Sequence, residues 1–446
     1  MIMPREDGTA APGTGSTIQV ASGRFLSRTV WRRFKRSKIN LVALSFIAFL
    51  VLTALLADII AYNKPLACKR EGVLYFPVFA DYLAKAGLYH WDMDKLNEDW
   101  KTATYQWVIW PPVRYLPNDI DYRNQRLLSP FGKQDVATWG ERHFLGTERD
   151  GRDVLSGLVH GTRVSLTIGL LAVGIAGIIG IFLGAVAGYF GDTRIQLSTA
   201  GICMGGIGLV LGYFYGFQVR AYTLRDAMAA GSLSIFFHFL VSMAIFVAIP
   251  LLLVWCSRVF HRVPVLGKRR EVWLDMMISR LIELFMTIPT LLLVITLMAM
   301  TEEKSIFFLI AIFGLLGWPN VARNMRTEML RTRSQEFIES ARALGYSHFR
   351  IMVRHAIPNC MSPVMVVLTF GVASTIVAEA ALSFLGIGVP DDVMTWGGLL
   401  YSAKSNGSAW WLSVFPGMAI FLTATSLNLV GEGIRDALDP RVQYEK

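Results

Sequence analysis

The chain is poor in charge: Asp, Glu, Lys and Arg make up 17% of its 446 residues, against 53% apolar residues. Soluble domains carry about 25% charged residues, and the deficit here is gathered in long uncharged runs, which excludes an ordinary soluble enzyme. Cysteine is scarce as well. Cys68, Cys203, Cys256 and Cys360 stand far apart with no Cys-x-x-Cys pair, so neither a disulfide framework nor a zinc site is supported. No G-x-x-x-x-G-K-[ST] run is present, and the chain therefore cannot itself cradle nucleotide phosphates in the Walker manner. H-E-x-x-H and G-x-S-x-G are missing, and no repeat of fixed period is visible. Catalysis by this chain is not expected. The net charge of +10, from 43 Lys and Arg against 33 Asp and Glu, needs no nucleic-acid partner. In a membrane chain such a surplus holds loops in the cytoplasm.

What is present is a series of apolar runs near the ~20 residues that a helix needs to cross a bilayer core. They are Ile39–Ala57, Val164–Gly191, Ile195–Val219, Ser232–Ser257, Leu284–Thr301, Ser305–Ala322, Ala356–Ala378 and Ala409–Gly431. The third is diluted by six glycines between Gly201 and Gly216, which leaves a re-entrant or interfacial segment as its alternative. Glycines four apart, such as Gly180, Gly184 and Gly188, suit close helix contact in lipid. His238, inside the fourth run, reads as a helix–helix hydrogen bonder.

Direction follows from the flanks. Seven Lys and Arg residues between Arg24 and Lys38 crowd the entry to the first run and hold it in the cytoplasm as an uncleaved anchor. Residues 63–163 then lie outside. The basic stretches Arg258–Arg270 and Arg323–Arg354 return inside at the parity that eight crossings require, with both termini cytoplasmic. Residues 1–23 read as a disordered tail and 24–38 as a basic amphipathic segment on the inner surface.

The most informative stretch is 334–358. Ser334 can cap a helix whose first turns carry Glu336 and Glu339, where they complement the dipole. Ala341, Ala343 and Leu344 offer a small, smooth face. Gly345 ends the helix through positive φ, and a second short helix runs to Pro358. Two roles suit such a unit equally: docking in another protein's groove, or lying as a basic hairpin on lipid headgroups. Elsewhere, Glu379 is the one carboxylate deep in an apolar run, a functional candidate facing substrate, partner helix or backbone, or else a hydrogen-bonded packing residue. Pro289, Pro319 and Pro363 fit packing better than path-lining kinks. Trp396, Trp410 and Trp411 suit an interfacial belt. Asp150, Arg152 and Asp153 could meet a binding protein, but capping of the second span fits them better.

The 334–358 stretch resembles the EAA loop of ABC-importer permeases, a Glu-Ala-Ala followed by Gly and a closing Ile-x-Leu-Pro. Glu339, Ala341, Gly345 and Pro358 match in register, while Ser340, His355 and Ile357 depart from the pattern. Phe144-Leu-Gly-Thr-Glu-Arg-Asp-Gly-Arg-Asp-Val-Leu-Ser156, Gly188-Tyr-Phe-Gly-Asp192, Ala378-Glu-Ala-Ala-Leu-Ser-Phe-Leu-Gly-Ile-Gly388 and Arg435-Asp-Ala-Leu-Asp-Pro-Arg441 are similar to the C-type subunit of dipeptide and oligopeptide importers. The long 63–143 segment looks like the branch associated with microcin-C-type peptide uptake.

The resemblance implies an all-α integral inner-membrane protein. It would have a six-helix type I importer core, in segments 39–62, 164–191 and 272–446. Residues 192–271 depart from the family's pattern, and their two apolar runs read as an inserted pair of membrane helices. The resemblance further implies half of a pore for peptides or peptide-like solutes. Its partners would be a homologous permease, two ATP-binding subunits that hold ATP and Mg, an extracytoplasmic solute-binding protein and lipid. The chain itself would hold no cofactor and no metal. Glu339, Ser340, Ala341, Arg342, Gly345, His355 and Pro358 would couple to an ATPase, and Glu379 is the candidate for the path. A non-peptide cargo (a nickel chelate, a glycan, a peptide antibiotic) and a non-transporting scaffold are the alternatives.

Overall fold

Ser37 accepts a hydrogen bond from the Asn40 amide at 3.4 Å and so starts α1 (Lys38–Leu55). Its apolar residues point all round, as a helix in lipid requires. The computed structural model describes residues 30–70, 72–85, 87–91, 100–192, 196–230, 232–262, 268–300, 305–390, 392–404 and 406–438. The expected tail over 1–23, the start of the basic segment over 24–38 and the end of the C-terminal motif lie outside the described residues.

The segment that follows α1 is a folded cap, where the sequence suggested only a long loop. After α2 (Ala57–Ile60), β1 (Ala67–Arg70) pairs antiparallel with β2 (Val73–Tyr75). The short helix α3 (Pro77–Lys85) comes next, and β3 (Trp107–Ile109) adds to the other edge of β1. Cys68 sits opposite Tyr75 on one side and Val108 on the other. The buried His143 ring stacks on Tyr115 at 4.3 Å, with Nδ1 2.8 Å from Asp153 Oδ1 and Nε2 3.2 Å from Asp121 Oδ2. Asp153 also accepts from the Ser156 amide at 2.7 Å, which is the capping role expected of it.

Glu148 lies in the same turn. Burial pushes its carboxyl up to about 7, against the pull of Arg152 and a hydrogen bond from Ser402. Between its ordinary 4.5 and about 7 the native cap keeps a proton that the unfolded chain has released. Stability should therefore fall as pH rises through that window, by up to about 3 kcal/mol, and level off above it. Glu148→Gln is expected to flatten the slope in a pH series of thermal unfolding.

The cap ends on α4 (Val154–Phe190), 37 residues long and so about 55 Å at 1.5 Å per residue. A bilayer core is about 30 Å thick, and the first turns of α4 accordingly stand in the cap. The insertion follows. β4 (Gln196–Ser198) leads into α5 (Thr199–Tyr213), which a π-turn over Phe214–Gln218 prolongs; then come α6 (Ala221–Ala230) and α7 (Ser232–Cys256). β5 (Arg269–Glu271) closes the hairpin by pairing antiparallel with β4. Glycines of α5 and its π-turn form the seam with α7: a Cβ on Gly208 would lie 2.5 Å from Pro250 Cα, and one on Gly212 2.8 Å from Phe246 O. Arg220 donates to Ser242 Oγ at 3.1 Å and meets His238 Nδ1 at 3.2 Å, so His238 does join the two arms.

The remaining elements are α8 (Leu274–Thr287), α9 (Thr290–Ala299), α10 (Ile306–Thr332), α11 (Glu336–Ala343), α12 (His348–Ile351), α13 (Ile357–Phe384), α14 (Trp396–Ala403) and α15 (Trp410–Leu438). A π-turn over Met352–Ala356 joins α12 to α13, making one helix over His348–Phe384. Among the described residues seven helices are long and apolar enough to cross a membrane, and the α8–α9 pair makes an eighth if taken as one span. α4 is the central post, packed on α10, α13, α1 and α8, while α15 closes against α13 and α1.

Two expectations are corrected here. The fifth span does not begin at Leu284 as one run to Thr301: it is the pair α8 and α9, which starts at Leu274 and bends by 77°. Pro289 has no N–H to give, and Ile288 before it is driven to extended backbone (φ −86°, ψ 128°). Nor do the tryptophans form a belt. Trp396 and Trp411 are buried, donating to Leu158 O at 3.1 Å and Thr147 O at 3.2 Å, and only Trp410 is exposed. An indole buried with its N–H satisfied is a packing anchor.

Candidate functional site

The 334–358 stretch folds as a knuckle at the foot of the bundle. Ser334 Oγ donates back to Arg331 O at 3.0 Å and does not cap. Gln335 holds the N-cap position without a side-chain bond, and Glu336 and Glu339 lie in the first turn of α11 as expected. Gly345 has φ +77°; its amide donates to Arg342 O and that of Tyr346 to Ala341 O, the bond pattern of a Schellman stop. Ser347 then caps α12 through the Arg350 amide. The expected second short helix does not end at Pro358 but continues into α13 through the π-turn over Met352–Ala356, with Pro358 directly after that turn and Ile357.

The side chains sort by face. Ile338 and Ala341 are buried among Tyr189, Met325, Met329, Ile351 and Cys360. Ala341 therefore does not belong to the exposed small surface; it lets α11 settle on the bundle. Arg342 also turns inward, donating to Arg333 O at 3.3 Å with its guanidinium 6.0 Å from the Tyr189 ring. His355 stacks on Tyr346 at 6.1 Å. Glu339, Ser340, Gly345 and Pro358 remain exposed. Beside them stands an apolar ridge of Leu344, Tyr346, Phe349 and Val353, with Leu344 72% and Phe349 65% exposed. Phe349 and Val353 escaped the sequence reading, although four-residue spacing on a helix with charged neighbours was their signal.

A cavity of about 230 Å³ opens higher in the bundle. Its walls are Ala172, Val173 and Ala176 of α4, Phe285, Met286 and Thr290 around the Pro289 break, Phe313, Gly317 and Asn320 of α10, and Val367, Gly371 and Ser374 of α13. Thr290, Asn320 and Ser374 are exposed although they lie in apolar elements. Below Asn320, the residues Arg323, Asn324 and Thr327 fall on the same helix face. Polar groups facing hydrocarbon are costly, so this stripe marks a surface covered by water or protein. The α8 wall is pinned by a bidentate pair between Arg326 of α10 and Asp275, and by Asp192, which accepts from the Met276 amide at 3.0 Å.

Glu379 stands apart from the cavity. It is fully buried, accepting from Ser165 Oγ at 3.1 Å and Ser383 Oγ at 2.8 Å. It ties α13 to α4. Among the described residues no cluster of His, Cys, Asp and Glu could hold a metal ion.

The family model for the inner membrane component of binding-protein-dependent transport systems matches residues 264–444, from the end of the insertion through α15. That for the N-terminal TM domain of oligopeptide transport permease C matches residues 26–69. The Escherichia coli inner membrane ABC transporter permease protein YejE is 27% identical over 92% of this chain and 96% of its own length. A peptidoglycan transport system permease protein of Agrobacterium fabrum is 26% identical over 98% and 99%. A putative peptide transport system permease protein of Brucella suis is 39% identical, over 38% of this chain and 58% of the relative. With the continuous 348–384 helix joining a foot knuckle to a cavity in the bundle, the chain belongs to the inner-membrane permease components of binding-protein-dependent ABC transport systems.

Proposed function

We propose that this permease forms half of the pore of an importer for peptides or peptide-like solutes, driven by ATP that partner subunits bind with Mg and hydrolyse. A homologous permease faces the cavity, and a solute-binding protein delivers cargo at the cap. Both termini and the knuckle lie in the cytoplasm. Glu339, Ser340, Gly345 and Pro358 with the Leu344–Phe349 ridge seat in a cleft of one ATPase, while Ala341, Arg342 and His355 hold the knuckle to the bundle. Glu379 serves the path indirectly, by fixing α13 against α4.

One observation carries the reading. The helix that begins at the knuckle with His348 runs on to Phe384 and on the way supplies Val367, Gly371 and Ser374 to the cavity wall. A push on the knuckle therefore moves the wall, a two-state shift of the kind that alternating access needs. The peptidoglycan cargo named for the near full-length Agrobacterium relative favours a second reading of the solute, a muropeptide. Competition between labelled peptide and muropeptide separates the two.

The test of coupling is co-purification with tagged candidate ATPases followed by uptake in vesicles. Gly345→Pro cannot adopt φ +77°, and Glu339→Lys reverses a charge on the exposed face. Each is expected to lose the complex and ATP-dependent uptake together. Assembly and uptake both at wild-type level would refute the docking assignment.

A further inference from the structure

A second hollow, of about 440 Å³, lies between α1 and α4 just beneath the cap. Val51, Leu55, Leu166 and Leu170 form its apolar walls, with Tyr82 of α3 and Arg163 at the cap end. Val51, Leu55 and Leu170 are exposed, and both helices are candidate membrane spans, so the groove opens toward hydrocarbon. Arg163 is held in place: Nε donates to Ala54 O at 2.8 Å and Nη2 to Asp58 Oδ2 at 2.7 Å. Its side chain is still 38% exposed. Beside it α3 and its lead-in show Phe76, Phe79 and Leu83, each about half exposed, an apolar face of the kind that rests at a membrane interface.

We propose that this groove holds one acyl chain of a phospholipid from the leaflet next to the cap, with its phosphate on the exposed part of the Arg163 guanidinium. The apolar trough matches a hydrocarbon chain. The fixed guanidinium at its end supplies the charge-assisted donor that a phosphate takes, and the half-exposed face of α3 lies where the glycerol backbone would be. Tyr82, which donates to Asp58, and Arg163 thereby join cap, first span and lipid in one knot.

The test uses the purified full-length chain in nanodiscs containing a phospholipid with a photoreactive group on its acyl chain. Crosslinks are mapped by peptide mass spectrometry, and retained lipid is counted by native mass spectrometry. Wild type should label residues around 51–55 and 166–170 and retain one phospholipid. Leu170→Trp fills the trough from an exposed position that packing does not need, and labelling there is expected to fall about tenfold, the loss of a few buried methylenes. Arg163→Gln should lose the retained lipid. Leu251→Trp, on the exposed face of the insertion, should change neither. Equal labelling in Leu170→Trp and wild type would reduce the groove to ordinary lipid contact and overturn the proposal. So would a crosslink from residue 55 to a second protein chain in the assembled transporter, which would make the groove a subunit seam.

Discussion

Gly184→Leu is expected to leave no folded permease. Gly180, Gly184 and Gly188 form one edge of α4 and meet α10 backbone to backbone. A Cβ on Gly180 would stand 2.6 Å from Val321 Cβ, one on Gly184 2.8 Å from Met325 Cβ and against Ala322 O, and one on Gly188 2.7 Å from Arg326 O. A carbonyl cannot swing aside as a side-chain tip can, so the two helices must part. Parting them opens the cluster of Ala185, Tyr189, Val321, Met325 and Met329, on which α11 also rests. In lipid no general hydrophobic force pushes the helices back together. Overpacking of this kind costs about 3 kcal/mol or more, a large part of a marginal total. Gly174→Leu is the control, since a Cβ there meets nothing within 4 Å. The monodisperse fraction after solubilisation and its melting temperature decide: equal values for Gly184→Leu and wild type would show the seam to be placed wrongly.

That seam was legible in the sequence because four-residue glycine spacing survives any detail of packing. The spans were legible for the same reason: an uncharged run of bilayer length has few other uses. The stop at Gly345 was also legible, since Gly supplies positive φ wherever a helix must end sharply. What escaped depends on partners distant in the chain. Ser334 can cap in principle, but Arg331 O is nearer to it, and a cap is decided by such local competition. The tryptophans near 396 and 411 read as a belt until Leu158 O and Thr147 O, more than two hundred residues away, are seen to accept their N–H groups. The cap's sheet rests on strands of three and four residues, too short to leave a period. The cavity walls come from α4, α8, α9, α10 and α13, and no pattern within one helix reveals which residues of the others it faces. Pro289 announced a possible break, but its angle follows from where α10 and α4 leave room.

Gly371→Phe is expected to do the opposite of Gly184→Leu, preserving the fold and abolishing uptake. Both glycines lie in apolar helices, and composition alone would treat them alike. A Cβ on Gly371 would sit 3.5 Å from Val173 Cγ1 and Cγ2, ordinary van der Waals contact that needs no movement of backbone. Beyond it lies the 230 Å³ hollow that Gly371 helps to line, and a phenyl ring placed there fills much of that space. Filling a void is close to neutral for stability and adds some apolar contact. Its consequence falls on the space between Asn320, Ser374 and Thr290, which the proposed function makes the solute's route. The variant should therefore assemble with its partners and melt at or above the wild-type temperature. Its ATP-dependent uptake should fall to background, about a hundredfold, since a blocked path cannot be rescued by tighter binding. Gly371→Ala, which leaves most of the hollow open, should retain uptake within a few-fold. Measuring assembly, melting and uptake on the same preparations separates the alternatives. A Gly371→Phe protein that transports normally would mean that the hollow is a packing void and that solute crosses elsewhere, while one that fails to assemble would mean that α13 tolerates no bulk on this face. Normal assembly with lost uptake is the single combination that assigns the hollow to the route itself.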